Sequence, residues 1–284
     1  MAKESMLPLY AKAVLKALPL GTRTSPDLPT RALDRSMPIE ADAYAGFTTV
    51  VGAGLGNTVH PGYLHVLAFP LSMQLLGDPE VPLPMMGMVH VHNRIDSLGA
   101  VHVGDSVDFH VELAGPFQHS AGTTIEVIVE AKVEGELRMR ETTTYLAKGK
   151  KLPNAESKPQ PPREEFTAPT PTALWRLDPI IGQRYAHASG DYNPIHLNGL
   201  AAKGFGFPRL IAHGMYGASR ALSAVDTRLS SYRWDVSFAK PVLLPSTVGF
   251  AITEGRRHEA AKFAVFDLKS GKPHILSEVS ELRE

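Results

Sequence analysis

The sequence predicts an α+β fold made of two successive halves, each a long helix set against an antiparallel sheet. Three observations lead there. The order of one helix followed by several alternating strands occurs twice along the 284 residues. A Lys-, Pro- and Glu-rich segment, Lys148 to Glu165, separates the two occurrences almost evenly. Each helix shows a single apolar face, and such a face needs a sheet to bury it. The length agrees, because two domains of roughly 130 residues each lie close to the usual domain size.

The chain opens with a basic, partly apolar stretch that Lys3, Glu4, Lys12 and Lys16 interrupt. It therefore lacks the unbroken ~7–15 apolar residues of a secretory signal. Leu9, Val14, Leu15 and Leu18 instead suggest one side of a short helix lying on the fold. Further on, Leu64, Leu67, Leu71 and Leu75 recur at spacings of three and four, which marks a helix, with Pro70 expected to kink it. Strands follow at Met88 to Ile95, Ser106 to Leu113 and Thr123 to Val133, and Glu134-Gly135-Glu136 turns the chain into Arg138 to Ala147.

The segment after these strands is poor in apolar residues and reads as a linker. This places an N-terminal half at residues 1–148, a linker at 149–166 and a C-terminal half at 167–284. In the second half Met215, Ala218, Leu222 and Val225 mark the helix. The strands are Trp234 to Phe238, Val248 to Thr253, Ala261 to Leu268 and Ile275 to Leu282, with Gly271-Lys272 turning between the last two. Element order repeats, whereas residue identity between the halves is low.

Lys plus Arg and Asp plus Glu number 29 each, so no global field favours nucleic acid or an anionic membrane. The absence of cysteine removes disulfides, thiolate zinc sites and a cysteine nucleophile together. No stretch approaches the ~20 apolar residues of a membrane span, so a cytoplasmic protein is expected.

The chemistry concentrates between Tyr185 and Ser219. Ser189-Gly190-Asp191-Tyr192-Asn193-Pro194 is dense in turn formers, and Pro194 biases Asn193 towards extended backbone. Such a turn lets Asp191 and His196 point at one space. A carboxylate and an imidazole facing one water are what water addition requires, one group removing a proton while the other orients the water. Ile211-Ala212-His213-Gly214-Met215 opens the second helix, whose first N–H groups lack internal partners and carry partial positive charge. A thioester carbonyl against the Gly214 N–H would be polarised there. Taken alone, the first cluster reads more readily as a surface turn and the second as a helix cap. Their pairing at this separation points to chemistry.

The run Ser189 to His196 (SGDYNPIH), followed by Phe207 to Ser219 (FPRLIAHGMYGAS), closely resembles the hydratase-2 motif of MaoC-like dehydratases and (R)-specific enoyl-CoA hydratases. The resemblance implies the hot-dog fold, a long helix wrapped by an antiparallel sheet. It implies Asp191 and His196 as the catalytic pair and the Gly214 N–H as the carbonyl donor, with Asn193 shaping the loop and Ser189 and Gly190 supporting it. The two-halved layout is similar to the double-hot-dog subgroup, which includes 3-hydroxyacyl-thioester dehydratases. In that subgroup the first half has lost the motif, and here Val51 to Thr58 (VGAGLGNT) stands where it would fall. One site per chain is then expected, with the first half lending substrate-binding walls such as Tyr63, Phe69 and Met73.

The activity so implied is reversible hydration of a trans-2-enoyl thioester to the (R)-3-hydroxyacyl form. It needs no cofactor and no metal; CoA or acyl carrier protein belongs to the substrate. A hot-dog thioesterase and a non-catalytic acyl-thioester binder are the alternatives, and the intact Asp191–His196 pair argues against both. A monomer or a homodimer is expected.

Other signals are weaker. Val50 to Asn57 imitates a dinucleotide fingerprint, but its third glycine is misplaced. His90 and His92 could suggest a metal, yet without a third ligand in register they read as solvent-facing sheet histidines. Ser219 and Ser223 lie on a helix with no nucleophile elbow around them. Arg209, Lys203, Arg233 and Lys240 are candidates for a cationic pocket mouth.

Overall fold

The computed structural model describes residues 27–159 and 165–282, so the helix expected near Leu9 to Leu18 lies outside the described residues. The first half begins with an edge strand β1 (Leu33–Pro38) and helix α1 (Ala41–Val51). The long helix α2 (Pro61–Leu76) comes next, then β2 (Val89–Ser97), β3 (Ser106–His119), β4 (Gly122–Val133) and β5 (Glu136–Lys148). The second half repeats this order with β6 (Ala173–Leu177), α3 (Ile180–Ser189) and the long helix α5 (Gly214–Val225), then β7 (Tyr232–Phe238), β8 (Ser246–Gly255), β9 (Ala261–Asp267) and β10 (Pro273–Glu281). What the second half adds is a longer connection before its long helix, holding a 3-10 turn (Pro194–His196) and the short helix α4 (Gly199–Gly204).

Each half is thus a hot dog, and their sheets join. The ten strands run in the order β1-β3-β4-β5-β2-β7-β10-β9-β8-β6, so β2 and β7 meet in the middle and β1 and β6 form the edges. The join is antiparallel, pairing Ile95 with Trp234 and Asp96 with Arg233. Arg233 grips Asp96 through two bonds of 2.6 and 2.8 Å, and Asp235 takes His92 at 2.7 Å and Arg94 at 3.1 Å. Arg233 is therefore occupied at this junction and does not stand at a pocket mouth.

Local chemistry explains the boundaries. Pro61 opens α2 at a position whose N–H would have no partner anyway, and His60 caps the turn by accepting from the Gly62 N–H at 2.9 Å. The helix runs on through Pro70. The sequence suggested one apolar face for α2, but 13 of its 16 residues are buried, because sheet and neighbouring helices enclose it from all sides. The Glu134-Gly135 turn places both residues at positive φ (52° and 82°), the twist that a tight antiparallel hairpin needs. Residues after β5 lie along the sheet rather than free of it, since Glu156 pairs with Pro116 and Gln118 through two 2.8 Å backbone bonds and Ala155 is buried.

A bulge in β2 corrects one expectation. His90 pairs with Tyr145 and His92 with Thr144, so the register slips by one between them. The slip sends the two histidines to opposite faces. His92 faces out to Asp235, whereas His90 turns inward and is not a solvent-facing sheet histidine. The glycine-rich run near residue 52 follows helix α1 instead of a strand, which removes the setting a dinucleotide fingerprint needs. Among the described residues no helix is long and apolar enough to cross a membrane.

Candidate active site

The connection between α3 and α5 is a chain of small hydrogen-bonded turns. Gly190 ends α3 in the left-handed conformation (φ 78°), its N–H bonded to the Ala186 carbonyl. The Ser189 hydroxyl donates to the Tyr185 carbonyl (2.7 Å) and accepts from the Asp191 N–H (3.1 Å). Asp191 Oδ1 accepts from the Asn193 N–H (3.1 Å), and Asn193 Oδ1 accepts from the Ile195 N–H (3.3 Å). Each side chain therefore fixes the backbone two residues on, a role suited to Asp, Asn and Ser. Gly182 of α3 lets this connection lie close, because a Cβ there would meet the His196 carbonyl oxygen.

His196 and His213 stack with ring centroids 3.7 Å apart, and both are nearly buried (7% and 3% exposed). Polar atoms of Asp191, His196 and His213 all lie within 4.8 Å of one another. His196 Nδ1 sits 2.8 Å from the Ile211 carbonyl, which can only accept, so Nδ1 carries the hydrogen. Burial lowers the His196 pKa, opposed by the Asp191 carboxylate and the Ile211 bond. The neutral ring then has its lone pair on Nε2. His213 Nε2 donates to the Asp191 backbone carbonyl at 3.0 Å. Burial, followed by His196, pushes its pKa down to about 3, so this ring is also neutral.

A cluster of this composition invites a metal reading. With His213 Nε2 held by a carbonyl and its Nδ1 buried, the donors converging on one point reduce to a carboxylate and one imidazole nitrogen. That is fewer than the three protein ligands of a catalytic zinc site. The arrangement suits moving a proton better than holding an ion.

Gly214 opens α5, so its N–H has no carbonyl within the helix to receive it. The Phe238 ring closes over it, with Cε1 2.9 Å from where a Cβ would stand. Asp191, His196 and Gly214 share a cavity of about 610 Å³, within the usual roughly 300–1,000 Å³ of small-molecule sites. Ser189 and Asn193 line it as well, and from the first half so do Phe69 and Met73. Tyr63 does not. It lies about 200° of helical rotation from His65, a lining residue, and packs on Tyr44 and Phe47. Of the expected cations Lys240 lines the cavity, joined by Lys148 of β5, while Arg209 donates to the Pro245 carbonyl.

Sequence reasoning passed over His213 as more than a helix start, and over Tyr185. The Tyr185 ring packs 4.9 Å from His213, and among the described residues its hydroxyl has no partner. The signal for His213 was present in its adjacency to Gly214, but its bond to Asp191 spans 22 residues and appears only when the connection folds back.

The first half lacks the same set of groups at the matching place. His60 and His213 hold matching positions and backbone (φ −65°, ψ 131° against φ −62°, ψ 135°) before their long helices. Yet Pro61 stands where Gly214 does, so no N–H is presented, and residues 52–59 contain neither Asp nor a second His.

A MaoC like domain model matches residues 160–271. The whole chain is similar to 3-hydroxyacyl-thioester dehydratase X of Mycobacterium tuberculosis, 34% identical over 284 residues that cover 99% of this chain and 100% of that one. The crystal structure of that bacterium's HtdX superimposes with a TM-score of 0.77 at 32% identity, covering 89% of this chain and 100% of the other. A MaoC-like dehydratase from Phytophthora capsici shares the fold at 17% identity (TM-score 0.72, 93% and 99% covered). An acyl-ACP thioesterase from Bacteroides thetaiotaomicron shares it more distantly (TM-score 0.54, 10% identity, 87% and 96% covered).

Proposed function

The chain belongs to the MaoC-like dehydratase family, and on that premise we propose that it is a 3-hydroxyacyl-thioester dehydratase, interconverting trans-2-enoyl and (R)-3-hydroxyacyl thioesters. The observation that carries the reading is the convergence of the His196 lone pair and the Asp191 carboxylate beside the Gly214 amide, on one cavity. In this reading residues 1–148 supply much of the acyl pocket, 167–284 carry the chemistry, and 149–166 join them, with one site per chain.

In the hydration direction, His196 Nε2 takes a proton from the bound water as its oxygen bonds to C3. Asp191 holds the water's other hydrogen and stabilises the imidazolium that forms. The C2=C3 electron pair moves onto the thioester oxygen, where the Gly214 N–H and the positive end of α5 receive the charge. The proton on Nε2 then passes to C2, restoring the carbonyl. Because one water and one imidazole serve both carbons, H and OH arrive on the same face. His213 keeps Asp191 and His196 in register through its carbonyl bond and its stacked ring. Lys148 and Lys240 provide positive charge for a phosphate-bearing carrier, either CoA or acyl carrier protein.

The test is a spectrophotometric assay with crotonyl-CoA and longer trans-2-enoyl-CoAs, with free thiol titrated in parallel. Loss of the conjugated thioester absorbance without thiol release supports hydration. Thiol release would replace the proposal with a thioesterase.

A further inference from the structure

The cavity has a polar wall that the hydration chemistry does not use. Val66, Phe69, Met73 and Leu76 make an apolar lining suited to a hydrocarbon chain. The wall from β2 and β5 differs. Glu141, almost fully buried, holds three groups on its Oε1: His65 Nδ1 (2.6 Å), the Asn93 amide (2.8 Å) and the Thr143 hydroxyl (3.2 Å). In front of this network His65 and His90 lie with near-parallel rings, centroids 6.1 Å apart and 19° between planes, and His90 meets Tyr145 at 5.1 Å. All three face the cavity. His90 takes its inward aim from the β2 bulge, which puts it on the same side as Tyr145, while His65 comes from α2.

Two buried atoms here, His90 Nε2 and Glu141 Oε2, have no hydrogen-bond partner among the described residues. Buried polar groups are nearly always satisfied, so an unpaired ring nitrogen on a residue that lines the cavity, as His90 does and Glu141 does not, points to a partner that the cavity brings. Burial, then the neighbouring His65 and His92, pushes the His90 pKa well below its usual value, so the ring is neutral and can either give or accept a hydrogen bond. Burial, then Asp191 and Glu141, pushes the Tyr145 pKa up, so its hydroxyl stays protonated. A carboxylate ligand would be repelled by Glu141 behind this wall and by Asp191 nearby. The wall is matched to an uncharged oxygen.

We propose that His65, His90 and Tyr145 form a binding subsite for a hydroxyl or keto oxygen carried on the substrate's acyl chain beyond C3, an inference that rests on the acyl-thioester reading above. The distance is suitable. The Phe238 ring packs 4.6 Å from His90 and also covers Gly214, so one phenyl ring separates the subsite from the amide assigned to the thioester carbonyl. The favoured oxygen then lies within a few carbons of the reacting pair.

Calorimetric titration of the full chain with saturated acyl-CoAs, which cannot be hydrated, tests this. A medium-chain acyl-CoA is compared with hydroxy and keto analogues of equal length, the oxygen walked along the chain beyond C3. One position should bind about tenfold tighter than the plain chain. His90→Phe should bring that ratio to about one, and Tyr145→Phe should reduce it, each ratio being read within one preparation. A wild-type protein that binds every oxygenated chain no better than the plain one overturns the proposal. So does a preference that survives both substitutions. Failure to hydrate plain enoyl-CoAs would instead count against the dehydratase reading, and the binding comparison separates the two.

Discussion

Replacing Gly214 by proline would install in the second half what the first half has at Pro61. The backbone permits it. His213 already holds the extended conformation that a following proline requires, within a few degrees of His60 before Pro61. Proline at the first helical position is otherwise favourable. Two things change: the N–H gives way to the ring's Cδ, and a Cβ appears 2.9 Å from Phe238 Cε1. Gly214→Ala separates them, since it introduces the same Cβ while keeping the N–H. The ring edge must yield by a few tenths of an ångström in both variants. The difference between them is one oxyanion donor replaced by a ring methylene, so a loss of at least ~10²–10³-fold in kcat, or about 2.7–4 kcal/mol, is expected. Crotonyl-CoA hydration followed by absorbance, with thermal melts as a folding control, gives the comparison. A folded Gly214→Pro enzyme as fast as Gly214→Ala would refute the assignment of the thioester oxygen to this amide.

Asp191→Asn and His196→Ala should each lower turnover by ~10²–10⁴-fold while the fold survives. The double variant should be little worse than either single one if the two act on one water; multiplied losses in the same assay would separate their roles. Gly182→Ala puts a methyl against the His196 carbonyl, so turnover should fall, by as much as ~10²-fold if the imidazole moves by about an ångström. Unchanged kcat would show the connection to be slack. Stability should decline as pH falls below about 6.5. Burial lowers His60 to about 4, so between those values the unfolded chain binds the proton and the folded one does not. That one residue costs about 2 kcal/mol at pH 5, and His213 acts in the same direction. Urea midpoints measured across this range check the sign. The acid limb of kcat/KM should likewise lie below pH 6.5, because His196 must be neutral to act as base.

The two long helices and their following strands were legible because they are apolar and periodic. Val107, Phe109 and Val111 alternate inward, and Ile125, Val127 and Val129 pack at the heart of the sheet. What escaped were elements without such patterning. The edge strand Leu33–Pro38 has Asp34, Arg35 and Ser36 on a half-solvated ribbon, and α3 has Gly182 within it and Pro179 before it. Both look like loop in isolation and are held by their neighbours. Asp191, His196 and Gly214 could be singled out because turn chemistry and a helix start are local. The other parts are not local. His90 reaches the cavity through a slip of register, and the placing of Tyr63 depends on which side of α2 turns towards the second half.

The seam at β2 and β7 has a consequence for how such a protein can change. In an assembly of two identical hot dogs, every substitution is made twice, so a wall altered to suit a new chain alters a reacting centre as well. Here the cavity-lining residues of α2, Phe69 and Met73 among them, and the residues proposed to handle the proton around Asp191 are written in separate stretches of one polypeptide. A division of labour follows. On the proposed assignment, substrate range can drift in the first half while the chemistry in the second stays fixed, and the continuous sheet keeps the two in alignment as they diverge.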